Sequence, residues 1–402
     1  MKRRVPGRLV LTLVVVVAAG ALAGVALAKH PAAPVKGPSG MKFYSPSKLP
    51  AGPHGTLIWA RGLHGSAALA HATNDTVLYK QVGVKGKLVA VSGIVSVPRG
   101  TPPKGGWPVI TFAHGTTGIA PGCAPSLDTG PSSGAHGADL SVAPLLNTWI
   151  RDGYAVVRTD YEGLGGPGVH PYLIGRSEGD GVLDIVRAAR QLDPALSNRV
   201  VISGHSQGGH AALWAASLAP SYTPDLHVLG TVAFAPESHT AQQASLLRSV
   251  SSTSLTGLAA MILRGVSVAY PGLNINALLT PQAAALYPQT LTKCLDQVDQ
   301  PNSLGGLPLN QLVSQNADLT PVIKDLALND PDNLKIKGPV LIEQGLADTT
   351  VLPPFDQELS QELAHNGAKV TYHTYAGATH TGVLTASAKD ATAFLRTHLG
   401  KG

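Results

Sequence analysis

The chain has 402 residues, with 30 Lys+Arg against 24 Asp+Glu, 15 His, 45 Gly, 31 Pro and only 2 Cys. Charged residues make up 13%, about half the usual quarter, while apolar content is ordinary at 44%. That balance excludes a disordered chain, which couples low hydrophobicity to high net charge, and the length and cysteine count exclude a small disulfide scaffold. Four basic residues, Lys2, Arg3, Arg4 and Arg8, fall in the first 28 positions with no acid among them. The net charge of +6 therefore belongs mainly to the start, and the body lacks the basic cluster that binding to nucleic acid requires.

Residues 1–28 read as a signal peptide. A basic start leads into an apolar run from Leu9 to Val25, and Ala26-Leu27-Ala28 supplies the small residues of a cleavage site before Lys29. An uncleaved anchor is the alternative, because the run is nearly long enough to cross a bilayer. Neither cysteine follows the leader, which disfavours a lipid anchor. The protein is expected outside the cell, either released or held at the envelope.

Pro31 to Pro53, rich in Pro, Gly, Ser and Lys, reads as a loose approach segment. Strands are expected at Thr76–Val82, Leu88–Val97, Val109–Ala113, Ala155–Asp160, Val200–Ser203, Val228–Phe234, Val340–Gln344 and Val370–Tyr375. Helical periodicity marks Val182–Gln191, Gly209–Ser217, Phe355–His365 and Ala386–Leu399. The alternation predicts an α/β fold, a mostly parallel central sheet with helices on both faces; the first two runs suit an antiparallel edge hairpin. From 238 to 336 the rhythm breaks into helix-like pieces, among them Leu255, Leu258, Ile262, Val266 and Ala269 at helical spacing. The segment reads as an inserted helical cap between two parts of one core, residues 29–237 and 337–402; a wider core or a subunit contact is the alternative.

The strongest chemical signal is Val200-Val201-Ile202-Ser203-Gly204-His205-Ser206-Gln207-Gly208-Gly209. An apolar strand runs into G-x-S-x-G and on into a small-residue helix, the setting of a nucleophile elbow that exposes Ser206 at a helix N-terminus. A serine hydroxyl needs a base, and the base needs an acid to orient it, in the chain order Ser, Asp or Glu, His. Asp348 follows the strand Val340–Gln344 and His380 follows the last strand, so both reach the strand ends where Ser206 sits. Asp356 is the alternative acid and His373 a poorer alternative base. The N–H of Gln207 supplies one oxyanion donor; the second comes from His114-Gly115-Thr116-Thr117-Gly118, with Thr116 preferred over Thr117. His114 is expected to hold that loop, and His205 and His210 to pack around the elbow.

Asp160 and Tyr161, in Asp160-Tyr161-Glu162-Gly163-Leu164-Gly165, either shape the substrate pocket or brace the loops around it. In an exported chain, Cys123 and Cys294 most simply form a disulfide joining the catalytic rim to the cap, which contributes about 4–5 kcal/mol on chain-entropy arithmetic; two free thiols are the alternative. The other histidines show neither H-E-x-x-H nor Cys/His spacing, so no metal site is expected, and the chemistry asks for no cofactor.

Together these stretches, with Cys123-Ala124-Pro125-Ser126, resemble the secretory lipases of the α/β-hydrolase superfamily, the fungal lipase A type and actinobacterial exported lipases. The resemblance implies hydrolysis of carboxylic esters, with acylglycerols among the substrates, and a helical cap that forms the acyl site and meets a lipid interface transiently. It also implies a disulfide from the oxyanion side to the cap. The His114-Gly115-Thr116-Thr117 stretch departs toward ordinary esterases and leaves acyl-chain length open. A peptidase with the same triad, or a non-catalytic envelope protein, is the competing reading.

Overall fold

In the computed structural model the described residues are Met1 and 35–402. The signal-peptide expectation for residues 1–28 lies outside them. Nine strands form one sheet: β1 (Leu57–Gly62), β2 (Ala72–Val82), β3 (Leu88–Pro98), β4 (Trp107–Ala113), β5 (Ala155–Thr159), β6 (Leu196–His205), β7 (His227–Phe234), β8 (Pro339–Gly345) and β9 (Lys369–Tyr375). Their order is β1-β2-β3-β5-β4-β6-β7-β8-β9. The pairs β1–β2, β2–β3 and β3–β5 are antiparallel, and β5 through β9 run parallel.

The apolar runs form the middle of this sheet because both of its faces are covered. Along β4, Val109 and Ala113 join one core cluster, whereas Ile110 and Phe112 join the other. The first face is covered by α2 (Gly175–Leu192), α3 (Gln207–Tyr222) and α9 (Pro353–His365), the second by α1 (His136–Arg151), α10 (Val383–Ala386) and α11 (Ala388–Leu399). Between β7 and β8 the chain forms α4 (Thr240–Leu246), α5 (Thr256–Ala269), α6 (Pro281–Leu286), α7 (Leu295–Val298) and α8 (Thr320–Ala327), with no strand of the sheet. These helices share an apolar cluster around Met261, Val266, Tyr287 and Leu312, which meets the core at Ile119 and Tyr172.

Three sequence expectations need correction. The hairpin β2–β3 forms but is not the edge, because β1 pairs outside it. The helix expected at Ala386–Leu399 begins at Ala388, because Ser387 separates it from α10. The described part of the approach segment is anchored: Phe43 and Tyr44 are buried against Ile58 and Leu78, and Trp59 Nε1 donates to Phe43 O (3.0 Å). Two aromatic side chains outweigh the loop-like composition around them.

Candidate active site

β6 delivers its chain into α3 through Ser206, whose backbone lies at φ +58°, ψ −120°. That conformation is costly for any residue with a Cβ, and such strain persists only where the surroundings over-determine it. Here they do. A Cβ on Gly204 would collide with the backbone of Gly208, and one on Gly208 with the carbonyl of Ala113. The Ser206 N–H donates to Phe234 O (2.9 Å), and Ser206 O accepts from the N–H groups of His210 (3.1 Å) and Glu237 (3.2 Å).

Asp348 follows β8 and is buried. Its Oδ1 accepts from the N–H groups of Thr350 (2.8 Å) and Val351 (3.0 Å), and its Oδ2 accepts from His380 Nδ1 (2.7 Å). Asp348 is thus immobilised by backbone donors and holds one ring nitrogen of His380, leaving Nε2 for a proton taken from elsewhere. His205, next to Ser206, donates Nε2–H to His380 O (2.9 Å), and the two rings lie 4.6 Å apart. Burial, reinforced by His380, pushes His205 down to about 3, so it is a neutral donor.

Asp356 does not hold this histidine. It is fully buried with both carboxylate oxygens unpartnered, and burial, with Glu237 and Asp348 adding to it, raises its pKa well above the usual range. His373 lies on β9 with Nδ1 3.7 Å from Glu343 Oε2, away from the elbow.

The oxyanion-side loop leaves β4 and packs onto the elbow; a Cβ on Gly115 would sit 3.6 Å from Ser206 Cβ. Among the described residues the N–H groups of Thr116 and Gln207 have no hydrogen-bond acceptor. Thr116 Oγ1 is 2.5 Å from Tyr172 Oη, whereas Thr117 is buried and its carbonyl accepts from Leu295 N–H (2.9 Å). His114 Nδ1 donates to Gly115 O (2.7 Å), and burial pushes this ring down to about 4. Cys123 and Cys294 are joined, with Cα atoms 5.5 Å apart, one residue before Leu295.

Asp160 and Tyr161 do not line a pocket. Asp160 is fully buried, accepts from Ser126 N–H (3.0 Å), Ser92 Oγ (2.5 Å) and Ser126 Oγ, and is held above its ordinary pKa by burial. Tyr161 is equally buried, and its hydroxyl donates to His114 O (3.0 Å). Of the two roles expected for them, bracing is the one their contacts support.

A further brace was not visible in the sequence. Glu178 of α2 accepts from Gln207 Nε2 (2.7 Å) and Leu173 N–H (2.9 Å) and lies 3.1 Å from His210 Nδ1 and 3.3 Å from His170 Nε2. Burial favours its neutral form, but bonds and charges from the two histidines outweigh that and hold it at about 2. The network fixes the side chain of Gln207, the residue that follows Ser206. Its members come from three segments, the loop at His170, α2 and the first turn of α3, so no local spacing announces it.

An apolar cavity of ≈ 170 Å³ opens beside the elbow, walled by Leu247, Leu258, Ile262, Leu309 and Phe355. Glu237 and Thr350, whose N–H groups bond to Ser206 and Asp348, also line it, whereas Ser206, Asp348 and His380 themselves do not. Glu237 is pushed up to about 7 by burial.

A model of the secretory lipase family matches residues 136–400. The chain belongs to the secretory lipase family. Lipase A of Moesziomyces aphidis is 29% identical over 196 residues, which cover 47% of this chain and 41% of that protein. A probable inactive lipase of Mycobacterium tuberculosis is 26% identical over 316 residues, 75% of this chain and 68% of the relative. The match therefore spans less than half of the fungal relative. The closed-state X-ray structure of Candida antarctica lipase A aligns with a TM-score of 0.72 at 23% identity, covering 85% of this chain and 83% of that one. That likeness establishes the α/β-hydrolase fold of this secretory lipase family member. Among the described residues no helix is long and apolar enough to cross a membrane.

Proposed function

We propose that this family member is an exported serine hydrolase of carboxylic esters, acting on acyl esters or acylglycerols. The observation that carries the reading is Ser206 at φ +58° on the strand–helix elbow, with the Asp348–His380 pair at 2.7 Å on the loops after β8 and β9. In the mechanism, His380 Nε2 takes the proton of Ser206 Oγ as that oxygen attacks the ester carbonyl. Asp348 holds the imidazole tautomer and offsets the imidazolium charge, while the N–H groups of Gln207 and Thr116 bind the tetrahedral oxyanion. His380 then protonates the leaving alcohol, and water activated by His380 releases the acid from acyl-Ser206.

The apolar cavity supports an acyl chain as the part of the substrate bound there. The helices between β7 and β8 act in this reading as a cap over residues 29–237 and 337–402. Leu246 and Leu352 wall the cavity while exposing 50% and 45% of their surface, which supports contact of its rim with a lipid interface. Export accords with the family and with the leader-like start.

The relative named as inactive keeps a non-catalytic reading alive. Hydrolysis of p-nitrophenyl esters from acetyl to palmitoyl separates the two. Ser206→Ala is expected to lower kcat by ~10³-fold or more while the protein stays folded. Absent turnover, together with no labelling of Ser206 by a fluorophosphonate, would favour the non-catalytic reading; turnover of amides above esters would favour a peptidase.

A further inference from the structure

At the start of the β7–β8 insert, His239 sits at φ +54° just ahead of α4 and is 6% exposed. Its Nδ1 lies 2.9 Å from Ser238 Oγ, and its ring stacks on Phe355 of α9 with centroids 5.5 Å apart. The other ring nitrogen, Nε2, points to α9. There it lies 3.2 Å from Glu362 Oε2 and 3.9 Å from Glu358 Oε2. Glu358 and Glu362 are one turn apart on the same helix face, so both carboxylates approach one nitrogen.

This is not an ordinary histidine–glutamate hydrogen bond. Although 3.2 Å apart, His239 Nε2 and Glu362 Oε2 are both buried atoms that make no well-formed hydrogen bond. In the tautomer whose Nδ1–H donates to Ser238 Oγ, Nε2 turns a lone pair toward the glutamates. Two lone pairs facing each other repel unless a cation lies between them. Two ligands bound tetrahedrally at ~2.05 Å are ~3.3 Å apart, close to the spacing seen here. The ligand atoms of His239, Glu358 and Glu362 all lie within 4.8 Å of one another. Among the described residues neither glutamate is paired with Lys or Arg, and Asp332 adds negative charge near Glu362.

We propose that His239, Glu358 and Glu362 bind one divalent transition-metal ion of the Zn²⁺ type, with one coordination position left to water. One nitrogen and two carboxylate oxygens suit such an ion, and Glu358, half-exposed, gives it an entry path. The ion fastens the start of the insert to α9. Both elements wall the apolar cavity, through Thr240 and Gln243 on one side and Phe355 on the other. The site does not depend on the ester-hydrolase reading, and it departs from the sequence expectation of no metal site. The sequence hid it because 119 positions separate the histidine from the Glu-x-x-x-Glu pair.

The test is calorimetric titration of Zn²⁺ into EDTA-stripped mature protein, with thermal unfolding read in parallel. Wild type is expected to bind one Zn²⁺ per chain and to gain on the order of 3 °C in Tm, reversed by EDTA. Glu362→Gln keeps the side-chain shape and is expected to weaken binding at least ~10-fold and abolish the Tm gain. Glu358→Gln, at a half-exposed position that folding does not depend on, provides the same comparison if Glu362→Gln fails to fold. Absence of saturable binding below about 1 mM, or equal binding by wild type and the folded variants, overturns the proposal.

Discussion

Ser206, Asp348 and His380, the proposed triad, each stand in a local pattern of the sequence: a G-x-S-x-G after an apolar strand, and two loops after later strands. What holds them in place could not. His205 was read as a packing residue, yet its ring N–H holds the carbonyl of His380, 175 positions away. It is a positioning residue in the proposed reaction. His205→Leu is expected to lower kcat about 5–10-fold, the worth of one buried hydrogen bond, with little change in KM. His205→Gln, which retains an N–H donor, is expected to recover most of that loss; equal damage in both variants would point to packing instead. Asp160 and Tyr161 were equally ambiguous in the sequence. Whether a polar side chain after a strand faces solvent or turns under a neighbouring loop depends on partners such as Ser92 and Ser126, which lie far away in the chain.

At the scale of elements, legibility followed burial. β4 is buried at every residue, and its uniform apolar run announces a central strand. β1 is six residues of alternating burial after a Gly/Pro-rich stretch, and α1 carries Pro144 inside it, so neither offers a clean period. α2 begins seven residues before the expected start because Glu178 and Asp180 are buried in its first turns, and these internal acids mask its apolar face. The insert is legible at α5, but α6 and α7 are only six and four residues long, shorter than any period can reveal. The Cys123–Cys294 bond closes a separation of 171 residues between the oxyanion-side loop and this insert. Replacing both cysteines with serine is expected to cost on the order of 2–5 kcal/mol in chemical denaturation. The variant's kcat should fall too, since Thr117 and Leu295 then keep the loop in register through one hydrogen bond.

For the molecule as a whole, pH acts through buried acids rather than through net charge. Glu343, fully buried at the end of β8, is pushed up to about 8 by burial, with Asp390 adding to the rise and a bond from Tyr375 opposing it. Its folded pKa lies above its unfolded value of about 4.5, so the folded state holds the proton more tightly. That contribution is complete below pH ~4.5 and is lost as pH rises through ~8. Unfolding free energy is therefore expected to fall across this window by up to about 5 kcal/mol from this group, and Glu343→Gln to flatten the slope. An unchanged slope would place the titration elsewhere. The disulfide adds a dependence on place as well as on stability. Thiols stay reduced inside most cells and pair in oxidising compartments, so under the proposed export the loop bearing Thr116 gains its covalent tie only after the chain has crossed a membrane. A hydrolase of acyl esters made among the cell's own lipids would then leave its synthesis compartment with the rim of its site unfinished, and complete it outside.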